Sequence, residues 1–167
     1  VVGQTSADES VRDEAAVTRF IGRFAATMAQ AGLPPMAARV FVALLASEAG
    51  HLTSAELSEQ LQISSATVSG AVRFLIQANV VFREREPGSR RDVYRLYEHV
   101  WQEILTRRLQ ILNFWNDSLR NGIEAVGPAT PAGQRLSETL DFFVFLDKEV
   151  PEMMTRWRER QTGGAAG

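Results

Sequence analysis

The sequence predicts a mainly α-helical fold with one β-hairpin, and three observations predict it. Apolar residues recur at three-and-four spacing through most of the chain, which is the helix period. That period gives way once, in VVFREREPGSRRDVYRLY, where two β-rich runs flank Pro87, Gly88 and Ser89. Beyond Glu98 a repeat of alternating steps of four and three runs unbroken from Leu105 to Val126. With 167 residues, 45% of them apolar, the chain suits one ordinary folded unit or a small domain with a long helical extension.

The elements follow in order. A first helix is expected over residues 10–30, burying Val17, Phe20, Ile21, Phe24 and Met28, with Gly32 just past its end. Pro34 and Pro35 open a second, where the missing N–H of proline costs nothing. Ala37, Val40, Phe41, Leu44 and Leu45 line its buried side, and Gly50 is expected to end it. His51, Leu52 and Thr53 form a short extended bridge. Thr53-Ser54-Ala55-Glu56 matches a capping box opening a third, short helix with Leu57 and Leu61 one turn apart. Ser64 is a good N-cap for a fourth helix reaching about Ala78. The hairpin follows, with Tyr94 and Leu96 alternating with charged neighbours as in a sheet with one wet face.

The fifth helix, residues 98–126, carries the heptad seam Leu105, Leu109, Leu112, Asn116, Leu119, Ile123 and Val126. A second stripe of Trp101, Ile104, Ile111 and Trp115 widens its apolar surface. Gly127 to Pro131 break it. A sixth helix buries Leu136, Leu140, Phe143 and Leu146 until Pro151 kinks or restarts it, and Met153, Met154 and Trp157 continue that face. The expected organisation is an N-terminal helix within a dimerisation region (residues 1–33), a winged helix-turn-helix domain (34–97), C-terminal dimerisation helices (98–162) and a disordered tail (163–167). The fold class is therefore a winged helix-turn-helix with long N- and C-terminal dimerisation helices and one β-hairpin wing.

The chemistry concentrates between residues 57 and 95. In SSATVSGAVRFL, Val68, Ala71, Val72 and Leu75 form a buried face, while Ser65, Ala66, Ser69, Gly70 and Arg73 lie opposite. Small and hydroxylic side chains let a helix approach base edges closely. The net charge of −2 hides a local excess. Arg73, Arg83, Arg85, Arg90, Arg91 and Arg95 are countered there only by Glu84, Glu86 and Asp92. Arginines near the hairpin tip suit a minor groove, and the others can pair with the acids of the hairpin. The candidate DNA-binding residues are Ser64, Ser65, Thr67, Ser69, Arg73, Arg83, Arg85, Arg90 and Arg91. The candidate dimer seam is Leu105, Leu109, Leu112, Asn116, Leu119 and Ile123, with Asn116 fixing register. Trp101, Phe114, Trp115, Phe142, Phe145 and Trp157 exceed what such a seam needs, and they are the candidate lining of a small-molecule pocket.

Other chemistry finds little support. Cysteine is absent, which removes disulfides and thiolate metal sites. The two histidines are far apart, and His99 with Glu103 reads as a surface pair rather than half a metal site. No phosphate loop, nucleophile elbow or clustered carboxylate pair is present, so neither an enzyme nor a cofactor is expected. No run of eighteen apolar residues suggests a membrane span, and a cytoplasmic address is expected by default. A winged helix used only as a protein-interaction module is the alternative. Its wing arginines would all be paired with acids.

GLPPMAARVFVALL, LTSAELSEQLQISSATVSGAVRFLIQANVV and PGSRRDVYRL together resemble the MarR-type winged-helix regulators. With DFFVFLDKEVPEMMTRW the resemblance is closest to the branch of betaine-synthesis repressors. It implies a dimer with interleaved terminal helices and two winged lobes on successive major grooves of a pseudo-palindromic operator. It places Ser65, Thr67, Ser69 and Arg73 in the recognition helix, and Arg90 and Arg91 in the wing. It also implies a repressor that a small-molecule effector releases from DNA. Ala38 and Asn79 stand where relatives often have glycine.

Overall fold

A computed structural model describes residues 12–86, 88 and 91–163. Six helices and three strands follow in the order α1 (Glu14–Gln30), α2 (Pro35–Leu45), β1 (His51–Thr53), α3 (Ser54–Leu61), α4 (Ser65–Gln77), β2 (Val81–Arg85), β3 (Asp92–Leu96), α5 (Val100–Val126) and α6 (Pro131–Gly163). The contacts divide the chain into two compact units that meet between Glu98 and His99.

In the first unit α2 is the central element. Ala37, Ala38, Val40, Phe41, Val42, Ala43 and Leu44 are all buried, so the helix is covered nearly all round by α1, α3, α4 and β3. Phe41, Leu57, Leu75, Val68, Val81 and Val93 complete this core, each worth about 1.5–3 kcal/mol of transfer free energy. α1 starts at Glu14 rather than at residue 10, because Asp13 caps it by accepting from the Ala16 N–H at 2.9 Å. Its buried residues are Ile21 and Ala25. Phe20, expected inside, stacks on Phe24 at the rim and stays 48% exposed. α2 ends at Leu45, earlier than expected, and Gly50 instead serves a following turn at φ +69°.

The sheet has the order β1-β3-β2 and is antiparallel throughout. Leu52 faces Tyr94 on one side of β3, and Arg83 faces the same Tyr94 on the other. Val81 and Val93 are the buried strand residues, while Tyr94 and Leu96 are only half-buried. Val81 and Val93 lie on opposite faces in this register, so the expected division into a wet and a dry face does not hold. Asn79 takes the left-handed φ of +56° that glycine adopts freely, and asparagine is among the side chains that tolerate it.

The second unit is an antiparallel helical hairpin. Gly133 packs so tightly on the α5–α6 turn that a Cβ there would collide with the Gly127 carbonyl oxygen. Thr130 locks the same turn, its hydroxyl donating to Gly127 and accepting from the Gly133 N–H. α6 continues through Pro151 as one helix and is not restarted there. Pro151 has no N–H, so the Asp147 carbonyl lacks its helical donor. Gly163, expected in a disordered tail, is the last residue of α6, and residues 164–167 lie outside the described residues.

Candidate nucleic-acid interface

α3 and α4 form the helix-turn-helix. The capping box is present as the sequence suggests, with Thr53 Oγ1 accepting from the Glu56 N–H at 3.2 Å and Glu56 Oε2 accepting from the Thr53 N–H at 2.7 Å. The Thr53 hydroxyl also donates to Glu56 Oε2, at 2.8 Å, and the N–H and hydroxyl of Thr53 together hold the Glu56 carboxyl below the ordinary glutamate range, helped by the charges of His51 and Arg91. Gln62 then turns the chain in a left-handed conformation. The Ile63 N–H donates to the Ser58 carbonyl, and the Ser58 hydroxyl donates back to the Ile63 carbonyl.

α4 begins at Ser65 with Ser64 as its N-cap. Ser64 Oγ accepts from the Thr67 N–H at 3.1 Å and lies 2.8 Å from Thr67 Oγ1. Ser64 and Thr67 are therefore engaged in starting the helix, and Thr67 is half-buried. Val68, Ala71, Val72 and Leu75 bury the inner face. Ser65, Ser69 and Arg73, four residues apart, line up along the exposed face, and Gln77 extends the stripe. The same spacing could have flagged Gln77 in the sequence. No Cβ at Gly70 would meet anything within 4 Å, so this face is open.

The wing arginines divide. Arg83 pairs with Asp92 at 3.5 Å and Arg95 with Glu84 at 3.0 Å, each a diagonal neighbour on its own face of the hairpin. Among the described residues Arg73 and Arg85 are exposed and have no ion pair. Arg91 is exposed and contributes its charge to Glu56. Arg90, with Pro87 and Ser89, lies outside the described residues. Glu103, expected beside His99, instead accepts from Arg107 at 2.9 Å.

In the helical hairpin, Leu109 is buried and Leu105, Leu112, Asn116, Leu119 and Ile123 are half-buried. Part of this seam is turned toward α6 of the same chain. Leu109 shares a cavity wall with Val150 and Met154, and Leu119 shares one with Leu136 and Phe143. Beside it Asn113 donates to Asp147 at 2.6 Å across the hairpin. The large apolar side chains left exposed on α5 are Trp101, Ile111, Phe114, Trp115 and Val126. Of the six aromatic candidates, Trp101 and Trp157 come together with Leu105 and Met154 around a cavity of about 490 Å³, rimmed by His99, Gln102 and Gln161. Trp115 borders a separate one of about 360 Å³, while Phe114, Phe142 and Phe145 face outward. Among the described residues no helix is long and apolar enough to cross a membrane, and no cluster could hold a metal ion.

Comparison with known proteins agrees with this geometry. The profile of the MarR family matches residues 31–92, and that of MmpR5-like MarR family transcriptional regulators matches residues 99–160. The HTH-type transcriptional regulator MmpR5 of Mycobacterium tuberculosis (strain ATCC 25618 / H37Rv) is 26% identical over 145 residues, covering 86% of this chain and 88% of its own. YvaV of Bacillus subtilis (strain 168), also described as an HTH-type transcriptional regulator, is 31% identical over 93 residues, 56% of this chain and 52% of its own. The crystal structure of a transcriptional regulator superposes with a TM-score of 0.72 at 25% identity, covering 86% of this chain and 99% of that one. With the winged lobe and the helical hairpin each matched by a profile of one family, the chain is a DNA-binding transcription regulator of the MarR family.

Proposed function

We propose that two copies of the chain bind a pseudo-palindromic duplex and repress transcription until a small molecule releases them. The observation that carries this reading is the exposed stripe Ser65, Ser69 and Arg73 on α4, which begins at a capped N-terminus and is free of ion pairing among the described residues. Seated in a major groove, Ser65 and Ser69 approach base edges, and Arg73 is placed for a phosphate or a guanine edge. Ser64 and Thr67 fix the start of the helix rather than read bases. Arg85 and Arg91 of the wing serve the flanking phosphates and minor groove, with Arg83 shared between Asp92 and DNA.

The second copy covers the exposed apolar side chains of the hairpin, Ile111 and Trp115 among them, because part of the seam itself is already turned to α6. The effector enters the cavity of Trp101 and Trp157. The late segment DFFVFLDKEVPEMMTRW supports placing the chain in the betaine-synthesis repressor branch, and the cytoplasm is where such a regulator meets its operator.

Selection of duplexes from a random pool tests the reading. The recovered sites should contain two related half-sites with centres about one helical turn (~34 Å) apart. Binding should weaken steeply with salt, by ~0.9 in log–log slope per phosphate contact. Recovery of unrelated sequences, or a flat salt response, would sink it.

A further inference from the structure

Arg39 lies on α2, away from the outer face of α4, and is half-buried. Its Nη2 donates to the Leu61 carbonyl at 2.7 Å, and its Nη1 lies 3.9 Å from Met36 Sδ. Leu61 is the last residue of α3, so its carbonyl is one of those a helix end leaves without an internal donor. A guanidinium there satisfies it and meets the negative end of the helix dipole. Three residues later Ser64 caps α4. The chain between them, Gln62 and Ile63, is the turn that sets the angle of α4 against α3.

From this geometry we infer that Arg39 is a positioning residue for sequence reading: by holding the Leu61 carbonyl to α2, it fixes where the exposed stripe of α4 enters the groove. The turn has its own local ties, from the Ile63 N–H to the Ser58 carbonyl and from the Gln62 side chain to the Glu59 carbonyl. Those ties shape the turn but do not anchor it to another element. Arg39 supplies an anchor from α2, the helix that packs on both α3 and α4. Without it α4 can rock by fractions of an ångström. Such motion spoils base contacts, which need fixed geometry, more than phosphate contacts, which tolerate displacement.

The inference rests on α4 being the helix that reads the groove, and the test separates the two. Affinities of the full chain for a duplex selected on the wild-type protein and for a scrambled duplex are measured across a salt series. The proteins are wild type, R39M, R39K and R73A, with folded fraction checked by circular dichroism. R39M keeps a long apolar stem and removes the donors. It should lower the selected-to-scrambled ratio about tenfold with an unchanged salt slope, and R39K should recover part of that ratio.

An unchanged ratio in folded R39M, or equal losses on both duplexes, overturns the inference. A slope smaller by ~0.9 overturns it too, because Arg39 would then touch a phosphate itself. If R39M does not fold, R39K is judged alone, and a wild-type ratio in R39K overturns the inference. If R73A also leaves ratio and slope unchanged, the assignment of α4 fails as well; if only R73A has an effect, Arg39 alone is dismissed.

Discussion

Arg95 Nε sits 3.0 Å from Glu84 Oε1, a diagonal pair on one face of the β2–β3 hairpin. Together with Arg83 and Asp92 it shows that part of the wing's positive charge is answered within the wing. The pairs are exposed by a third or more, where such contacts are worth about 0–1 kcal/mol. Their effect is to separate the arginines into those that shape the hairpin and those left for a partner.

Substitution should expose that separation. Arg73→Ala and Arg85→Ala are each expected to shallow the log–log salt slope of DNA binding by ~0.9, one lost phosphate contact apiece. Arg95→Ala should leave the slope at its wild-type value and change stability by less than ~1 kcal/mol. Titration of one duplex at four salt concentrations measures all three. Equal slopes across the set would mean that the unpaired arginines do not face DNA.

The capping box gives the winged lobe a defined acid response. Glu56 is held below its ordinary range by two hydrogen bonds from Thr53, so its folded-state value lies below its unfolded one, ~4.3. A depressed carboxyl stabilises the fold above the unfolded value, and this contribution is lost as pH falls through the lower folded one. Thermal unfolding followed from pH 7 down to pH 3 should therefore decline less steeply in Glu56→Gln than in wild type. Thr53→Ala should cost about 0.5–2 kcal/mol at neutral pH. Parallel curves for wild type and Glu56→Gln would refute the assignment.

For assembly, location on α5 decides the outcome. Leu109 is buried within the single chain, so Leu109→Asp places a charge inside the hairpin and should lower helix content along with association. Ile111 is 52% exposed in the same chain, so Ile111→Asp should abolish the dimer while helix content stays close to wild type. Sedimentation with circular dichroism on both variants resolves this. A dimer that survives Ile111→Asp would remove that stripe from the interface.

What was legible in the sequence was local. The capping box at Thr53 and Glu56, the cap at Ser64 and the hydrophobic period of α4 each lie within a few residues, and the structure has all three. The period of α5 was equally plain, but a heptad states only that a partner helix exists. Here Leu105, Leu109 and Leu119 of that seam share cavity walls with α6 of the same chain. Gly50 misled because glycine marks where a helix can end, while packing decides where it does, and at Pro151 the helix runs on rather than restarting. Arg39 left no trace, since a bond from a side chain to a carbonyl 22 residues away has no sequence pattern.

The last prediction concerns the effector. Trp101 and Trp157 face one cavity with Leu105 and Met154, and its volume of about 490 Å³ falls in the range of small-molecule sites. The lining is apolar with aromatic faces, and His99, Gln102 and Gln161 offer hydrogen bonds at the rim. An apolar or cationic compound fits that surface, and a cation against an indole face gains about 0.5–2 kcal/mol. Release from DNA requires more than occupancy, because a ligand of equal affinity for both conformations shifts neither. Trp115, the third tryptophan, borders a different cavity, so Trp115→Phe leaves emission from Trp101 and Trp157 alone. In that variant a true effector should change tryptophan emission and weaken DNA binding at the same midpoint concentration, and a further Trp101→Ala substitution should move both midpoints together. Compounds that alter emission without altering DNA affinity, or release that is indifferent to Trp101→Ala, would place the regulatory site elsewhere and leave this cavity as unfilled space in the hairpin.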